Sequence, residues 1–146
     1  MLKRPQTGAL GKVQRLQQLR GIGMTSSWVF VQELFWRQFE NRRQVAGAIG
    51  IVPMPYQSGD SHHEQGISHA GNRRVRAMSV EISWSWLHYQ PQSRLSQWYR
   101  KRFAKAGARQ RKVGIVALAR KLMIALWRYL ETGVVPEGAR LKSAAI

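Results

Sequence analysis

The chain has 146 residues and a formal net charge of +17, because 24 Lys and Arg face only 7 Asp and Glu. It contains no Cys, which excludes a disulfide scaffold and a sulfur-ligated metal centre. Asp60 is the only aspartate, so a cluster of aspartates holding a pair of metal ions is excluded as well. A charge of this size and sign is typical of a protein whose partner is nucleic acid.

Neither a secretory signal nor a membrane span is predicted. The first ten residues, MLKRPQTGAL, lack the apolar stretch that a signal peptide needs. The most apolar region, 113–130, is interrupted by Arg120, Lys121 and Arg128. The sequence therefore predicts a soluble, cytoplasmic protein without a membrane partner.

Three short helices are predicted in the first half of the chain. Apolar residues at positions 13, 16 and 19 recur at helical spacing and predict a helix over 13–19. A second helix is predicted over 27–35. Asn41, followed three residues later by Gln44, approximates a capping box and predicts a third helix over 42–49.

Three longer helices are predicted after a loop rich in Ser, Gly and His. Their apolar stripes cover 73–89, 94–108 and 112–131, and Ser93 is the expected cap of the middle one. The last helix has apolar residues on two faces and is expected to be central. Its inner stripe is Ile115, Leu118, Leu122, Ala125 and Tyr129, and its second face is Val116, Met123 and Trp127.

No segment alternates apolar and polar residues for long enough to predict a strand, so the predicted fold class is all-α. The expected architecture is a small helical domain, with an N-terminal helix-hairpin-helix-like element followed by a bundle of three longer helices. The expected divisions are a basic tail over 1–12, the hairpin element over 13–56, a serine-bearing loop over 57–72, the bundle over 73–132 and a loose tail over 133–146.

The first candidate binding feature is the glycine turn between the first two helices. Gly21 and Gly23 leave backbone N–H groups open at a helix N-terminus, where the helix dipole favours a phosphate. Arg20 and Lys12 flank the turn. The pattern resembles a helix-hairpin-helix element, which binds the nucleic-acid backbone without reading sequence. A plain helical turn that happens to use glycines is the alternative.

The second candidate feature is the basic stretch 94–112, which has no acid. Bases beside Trp98, Tyr99 and Phe103 are typical of nucleic-acid binding, although the aromatics are expected to point into the core. Binding through several phosphates should weaken steeply with salt. The candidate phosphate contacts are Arg100, Lys101, Arg102, Arg109, Arg111 and Lys112.

The third candidate feature is the loop 57–72. A metal site from His62, His63 and Glu64 is conceivable, but adjacent residues converge poorly on one ion. A serine nucleophile is the sharper hypothesis: Ser58 precedes a glycine, and a His of the loop could take its proton. An ordinary polar loop is the third alternative. Downstream, Arg73, Arg74 and Arg76 could clamp a phosphate.

The order of motifs resembles one family of transposases. LRGIG is followed by NRRQVAGAIGIVPMPYQSGD and then by EQGISHAGNRRVRAMSVEISWSWLHYQP. This string is similar to the C-terminal transposase domain of the insertion-sequence 110/116/902 family, which is related to the Piv and MooV DNA invertases. The likeness covers about residues 16–136.

The resemblance implies a type of reaction and a second domain that is not part of this sequence. Family members pair this domain with an N-terminal RuvC-like domain, whose DEDD carboxylates bind divalent metal such as Mg. The domain seen here supplies a serine that forms a phosphoserine link to DNA, and its motif position falls on Ser58, with Ser61 and Ser68 as fallbacks. The family also implies a homo-oligomer and, in some members, a guide or bridging RNA. No cofactor is expected in this chain itself.

Two hypotheses follow, because a chain with seven acidic residues, only one of them Asp, cannot supply the DEDD carboxylates. The first is a DNA-binding transposase domain with a serine nucleophile, expected to be a truncated copy that is inactive alone. The second is a non-catalytic module that binds nucleic acid. A ribosomal-type RNA-binding protein of similar charge is a more distant alternative.

Overall fold

The computed structural model describes residues 8–51 and 72–142. All regular elements in these ranges are helical, which confirms the all-α class. A single isolated bridge, between Leu19 and Leu141, is the only β-type pairing there. The helices are α1 (Ala9–Gln17), α2 (Met24–Phe30, continued by the π-helical turn Val31–Phe35), α3 (Arg42–Ile49), α4 (Arg73–Tyr89), α5 (Arg94–Phe103) and α6 (Ala108–Thr132).

Side-chain caps fix where three of these helices begin. The side-chain oxygen of Asn41 accepts a hydrogen bond from Gln44 N–H at 3.0 Å, and Ser93 does the same for Ser96 N–H at 3.1 Å. Both predicted caps are confirmed. The Gln44 side chain reaches back to the N–H of Glu40 rather than to that of Asn41, at 2.8 Å. Asn72 caps α4 in the same way.

Some helix limits differ from those predicted. Helix α1 begins at Ala9 and α2 at Met24, each a few residues earlier than the apolar spacing indicated. The predicted helix over 94–108 ends at Phe103, and Gly107 caps a separate start of α6. Apolar spacing locates only the buried turns, so exposed terminal turns escape it.

Helix α6 packs against α1, α3, α4 and α5. Leu118, Leu122 and Met123 on this helix have essentially no exposed surface, and Trp86 of α4 is equally buried. Val116, placed on its second apolar face, is instead 39% exposed. One buried cluster joins residues of α1 and α2 to α4 and α6, so the hairpin region and the longer helices share a core.

Residues 133–142 fold back onto the chain between α1 and α2. The N–H of Arg20 donates to the carbonyl of Arg140 at 3.2 Å, and the N–H of Lys142 donates to that of Gln18 at 2.6 Å. This attachment differs from the loose tail that the small, polar composition indicated. Its partners lie more than a hundred residues away in sequence, so composition could not identify them.

Candidate nucleic-acid interface

We use the name glycine turn for residues 19–23, which connect α1 to α2. Gly21 has φ +96, a left-handed conformation that L side chains rarely adopt. Its carbonyl accepts a hydrogen bond from Ser85 Oγ of α4 at 2.9 Å. The neighbouring carbonyl of Arg20 accepts one from Gln90 Nε2, also at 2.9 Å. Helix α4 therefore holds the turn by its carbonyl side.

Gln90 connects the glycine turn to the C-terminal segment. It is only 1% exposed, and its Nε2 donates to the carbonyls of both Arg20 and Arg140 at 2.9 Å. Its Oε1 accepts from the N–H of Arg140 at 2.8 Å. Both N–H groups and the oxygen of this buried amide are therefore bonded, and they join two distant backbone segments, one at Arg20 and one at Arg140.

The opposite side of the turn presents the N-terminus of α2. Gly23 occupies the cap position, and no side chain caps this end. A Cβ built on Gly23 would meet nothing within 4 Å, so the space in front of the first helical N–H groups is open. Met24 and Thr25, which follow it, are exposed. Uncapped N–H groups and the helix dipole favour an anion at this position.

Two cations border the same space. Arg20 and Lys142 line a shallow depression together with Gly21, Gly23 and Tyr89. The ammonium of Lys142 donates to the carbonyl of Ile22 at 2.9 Å, which holds its charge beside the turn. Lys142 was not among the predicted contacts.

Lys12, expected to flank the glycine turn as a free base, has a structural use instead. Its ammonium donates to the carbonyl of Phe35 at 2.6 Å, at the end of the π-helical turn. This contact satisfies a carbonyl that a helix end leaves without an intrahelical partner.

The arginines that begin α4 fall into two groups. Arg74 Nε lies 3.2 Å from a carboxylate oxygen of Glu33, and Asn72 Nδ2 donates to the other oxygen at 3.0 Å. This arginine therefore helps to fix α4 on α2. Arg73 and Arg76 instead line an open concavity beside Gly50, Ile51 and Val80.

The described residues just before and just after 52–71 lie next to each other. The N–H of Asn72 donates to the carbonyl of Ala48 at 3.1 Å, just before Ile51. Arg73 and Arg76 therefore lie beside the last described residues before 52–71, Gly50 and Ile51. The predicted nucleophile Ser58, its fallbacks Ser61 and Ser68, and the residues His62, His63 and Glu64 all lie outside the described residues.

We use the name basic corner for residues 100–112, where α5 turns into α6. The ring of Phe103 fills the space above Gly114, where an added Cβ would come within 2.5 Å of it. This close approach brings the end of α5 against the start of α6. All the candidate phosphate contacts of this stretch are exposed: Arg100, Lys101, Arg102, Arg109, Arg111 and Lys112.

Two of these arginines also bind backbone. Arg100 Nη2 donates to the carbonyl of Leu87 at 3.0 Å, and Arg111 Nη1 donates to that of Ala106 at 2.8 Å. Over 8–51 and 72–142, the only ion pairs between described side chains are Arg74–Glu33 and Arg94–Glu137. The charges of the basic corner thus have no carboxylate partner within the described part of the chain.

The aromatics of this stretch have different environments. Tyr99 is buried, and its hydroxyl donates to the carbonyl of Arg111 at 3.3 Å. Burial raises the pKa of this hydroxyl, and the nearby charge of Arg111 partly opposes the rise. Phe103 packs on α6, whereas Trp98 remains partly exposed. The expectation that these aromatics serve the core is confirmed for Tyr99.

Comparison with known proteins decides the family. A family model described as "Transposase IS116/IS110/IS902 family" matches residues 13–99. The chain belongs to this transposase family. The matched residues include the glycine turn and the whole of α4, and they end just before the basic corner.

Two curated relatives come from Sinorhizobium fredii. The protein named "Putative transposase y4rJ" is 47% identical over 126 residues, which is 86% of this chain and 32% of the relative. The protein named "Putative transposase y4qE" is 35% identical over 86 residues, or 58% of this chain and 22% of the relative. This member of the transposase family thus spans about a third or less of their length. No solved structure matches the chain.

Within the described residues of this transposase-family chain, no helix is long and apolar enough to cross a membrane.

The sequence did not indicate the roles of Lys142 and Gln90, because these roles depend on contacts between distant segments.

Proposed function

We propose that this chain is the DNA-binding C-terminal domain of an insertion-sequence transposase that recombines DNA through a serine nucleophile. The observation that carries the DNA-binding part is the basic corner, whose exposed cations have no carboxylate partner among the described side chains. Family membership supplies the context of DNA transposition. Cations that are not neutralised by the protein attract phosphates and release counterions on binding.

The glycine turn is proposed as a second backbone contact. A phosphate placed before α2 would meet uncapped N–H groups, with Arg20 and Lys142 at its sides. Such contacts fix the position of a duplex without reading its bases. We propose this helix-hairpin-helix role for residues 13–56, because both the open space and the cations lie on the same side of the turn.

Ser58 is the proposed nucleophile, with Ser61 and Ser68 as alternatives in the same segment. Its hydroxyl oxygen would attack a backbone phosphorus, lose its proton to a nearby base, and displace a deoxyribose oxygen to leave a phosphoserine link. Arg73 and Arg76 support this proposal, since they stand beside both ends of the segment and could stabilise charge on the phosphate.

Divalent metal is assigned to a RuvC-like half and not to this chain. In the described residues, no group of three His, Asp or Glu side chains could hold one ion. A homo-oligomer and a guide or bridging RNA are further parts of the proposal and come from the family resemblance. A cytoplasmic location is proposed as well.

Salt-dependent binding to a short DNA duplex tests the proposed interface. We expect Arg109→Gln/Lys112→Gln to reduce the slope of log affinity against log salt by about 1.8, since each phosphate contact contributes about 0.9. The control Arg42→Gln/Arg43→Gln removes the same charge from the exposed start of α3. Equal slopes for the two double variants would mean that net charge alone, and not the basic corner, binds DNA.

Trapping of a covalent protein–DNA adduct separates the catalytic proposal from the non-catalytic module. The full chain is supplied with the RuvC-like half of a close relative and a DNA substrate, and adducts are resolved by denaturing gel. We expect an adduct with the unaltered chain and none with Ser58→Ala, while duplex binding stays unchanged. An adduct that persists in Ser58→Ala moves the assignment to Ser61 or Ser68. Salt-sensitive binding with no adduct from any chain favours the binding module.

A further inference from the structure

A cleft lies on the side of the bundle where α5 faces the C-terminal half of α6. It has a volume of about 480 Å³, and residues 134–137 contribute to its lining. Leu95, Ile124 and Pro136 contribute apolar wall, and the indole of Trp98 is its aromatic surface. This size is within the range of pockets that hold small organic ligands.

The cleft combines that aromatic ring with an excess of positive charge. The ammonium of Lys121 lies 4.8 Å from the centroid of the Trp98 ring, and the guanidinium of Arg102 lies 5.8 Å from it. Lys121 and Arg128 are exposed and line the cleft. They are seven residues apart, so they lie on the same face of α6. The one carboxylate that lines the cleft, Glu137, is already paired with Arg94 at 3.0 Å.

These features fit the parts of a nucleotide. A flat base can stack on the indole and bury its faces against the apolar wall, and phosphates can pair with the cations at the rim. Lys121 has a flexible stem, so its ammonium can leave the ring when a base arrives and still reach a phosphate. A paired base inside a duplex cannot offer its face in this way. A cleft of this kind would therefore accept an unpaired base and reject a base pair.

We propose that the Trp98 cleft binds one unpaired nucleotide of a single-stranded nucleic acid, with the base on Trp98 and the phosphates at Lys121 and Arg128. This proposal rests on the proposed nucleic-acid binding of the chain, and it adds a site outside the glycine turn and the basic corner. The unpaired nucleotide can belong to DNA or to RNA, since base and phosphate are common to both.

The test measures binding of the full chain to labelled oligothymidylate, oligouridylate and a DNA duplex by fluorescence anisotropy. We expect Trp98→Leu to weaken binding to the better single strand about tenfold, the effect of one lost stacking platform, and to change duplex binding less than about twofold. We expect Lys121→Gln/Arg128→Gln to lower the salt slope for the single strand by about 1.4. The control Arg42→Gln/Arg43→Gln should leave the single-strand slope higher than that variant does.

The outcomes separate the two proposals. Tighter binding of oligothymidylate or of oligouridylate identifies DNA or RNA as the source of the nucleotide. Duplex binding without single-strand binding overturns the cleft and leaves the proposed function standing, whereas binding to neither overturns both. Equal loss of duplex and single-strand binding in Trp98→Leu also overturns the cleft. If that variant does not fold, the exposed pair Lys121→Gln/Arg128→Gln decides, and a slope equal to that of the control contradicts the proposal.

Discussion

The glycine turn and the basic corner are both candidate phosphate sites, but they are built in opposite ways. The turn has few charges, and its carbonyls are held by Ser85 of α4 and by Gln90, which follows the end of that helix. The corner has many exposed charges and follows directly from the local sequence. A site made of backbone groups needs a buried framework to fix them, whereas flexible cations on a surface need only proximity.

Loss of Gln90 is the largest expected effect and bears on the framework of the turn. In Gln90→Leu the carbonyl of Arg20 and the N–H of Arg140 lose buried partners. We expect the free energy of unfolding to fall by about 3 kcal/mol, because each buried polar group left unpaired costs about 1–3 kcal/mol. Urea denaturation measures it.

The exposed Gln97 provides the matched control for this change. Its amide makes only a long, 3.5 Å contact with the carbonyl of Gln92. We expect Gln97→Leu to change stability by less than about 0.5 kcal/mol, as is usual at surfaces. Equal effects of the two variants would mean that Gln90 does not hold the C-terminal segment to the glycine turn.

Gly114 tests the one tight contact under the basic corner. An added Cβ would meet the base of the Phe103 ring at 2.5 Å, whereas a Cβ on Gly47 of α3 would meet nothing within 4 Å. Both glycines are inside helices, so an alanine gains about 1 kcal/mol of helix propensity at either. We expect Gly114→Ala to be about 1–3 kcal/mol less stable than Gly47→Ala, because overpacking costs that much.

A double variant locates the cause of that difference. In a Phe103→Leu background the ring no longer stands over Gly114, so the penalty of Gly114→Ala should shrink. Thermal or urea denaturation of the four proteins gives the coupling energy directly. A penalty unchanged by Phe103→Leu would show that another neighbour, and not the ring, limits the approach of α5 to α6.

The comparison also explains what the sequence could predict. The caps Asn41 and Ser93 and the buried stripe of α6 depend on residues within a few turns of each other, so local patterns sufficed. The basic corner was predictable for the same reason. The attachment of 133–142, and with it the place of Lys142, depends on Gln90, 50 residues before Arg140. No periodicity or composition signals a contact of that kind.

The two glycines of the turn give the smallest stability effects and the sharpest functional one. Gly21→Ala places a side chain at φ +96, and we expect a loss of about 1–2 kcal/mol from that conformation alone. Gly23 has ordinary backbone angles and open space around it, so we expect Gly23→Ala to lower the free energy of unfolding by less than about 1 kcal/mol.

The methyl group that Gly23→Ala adds would nevertheless stand where a phosphate must approach α2. We expect Gly23→Ala to weaken duplex binding roughly tenfold, as expected for loss of one hydrogen bond to a charged group. If Gly23→Ala binds the duplex as tightly as the unaltered chain, the N-terminus of α2 does not contact phosphate, and DNA binding belongs to the basic corner alone.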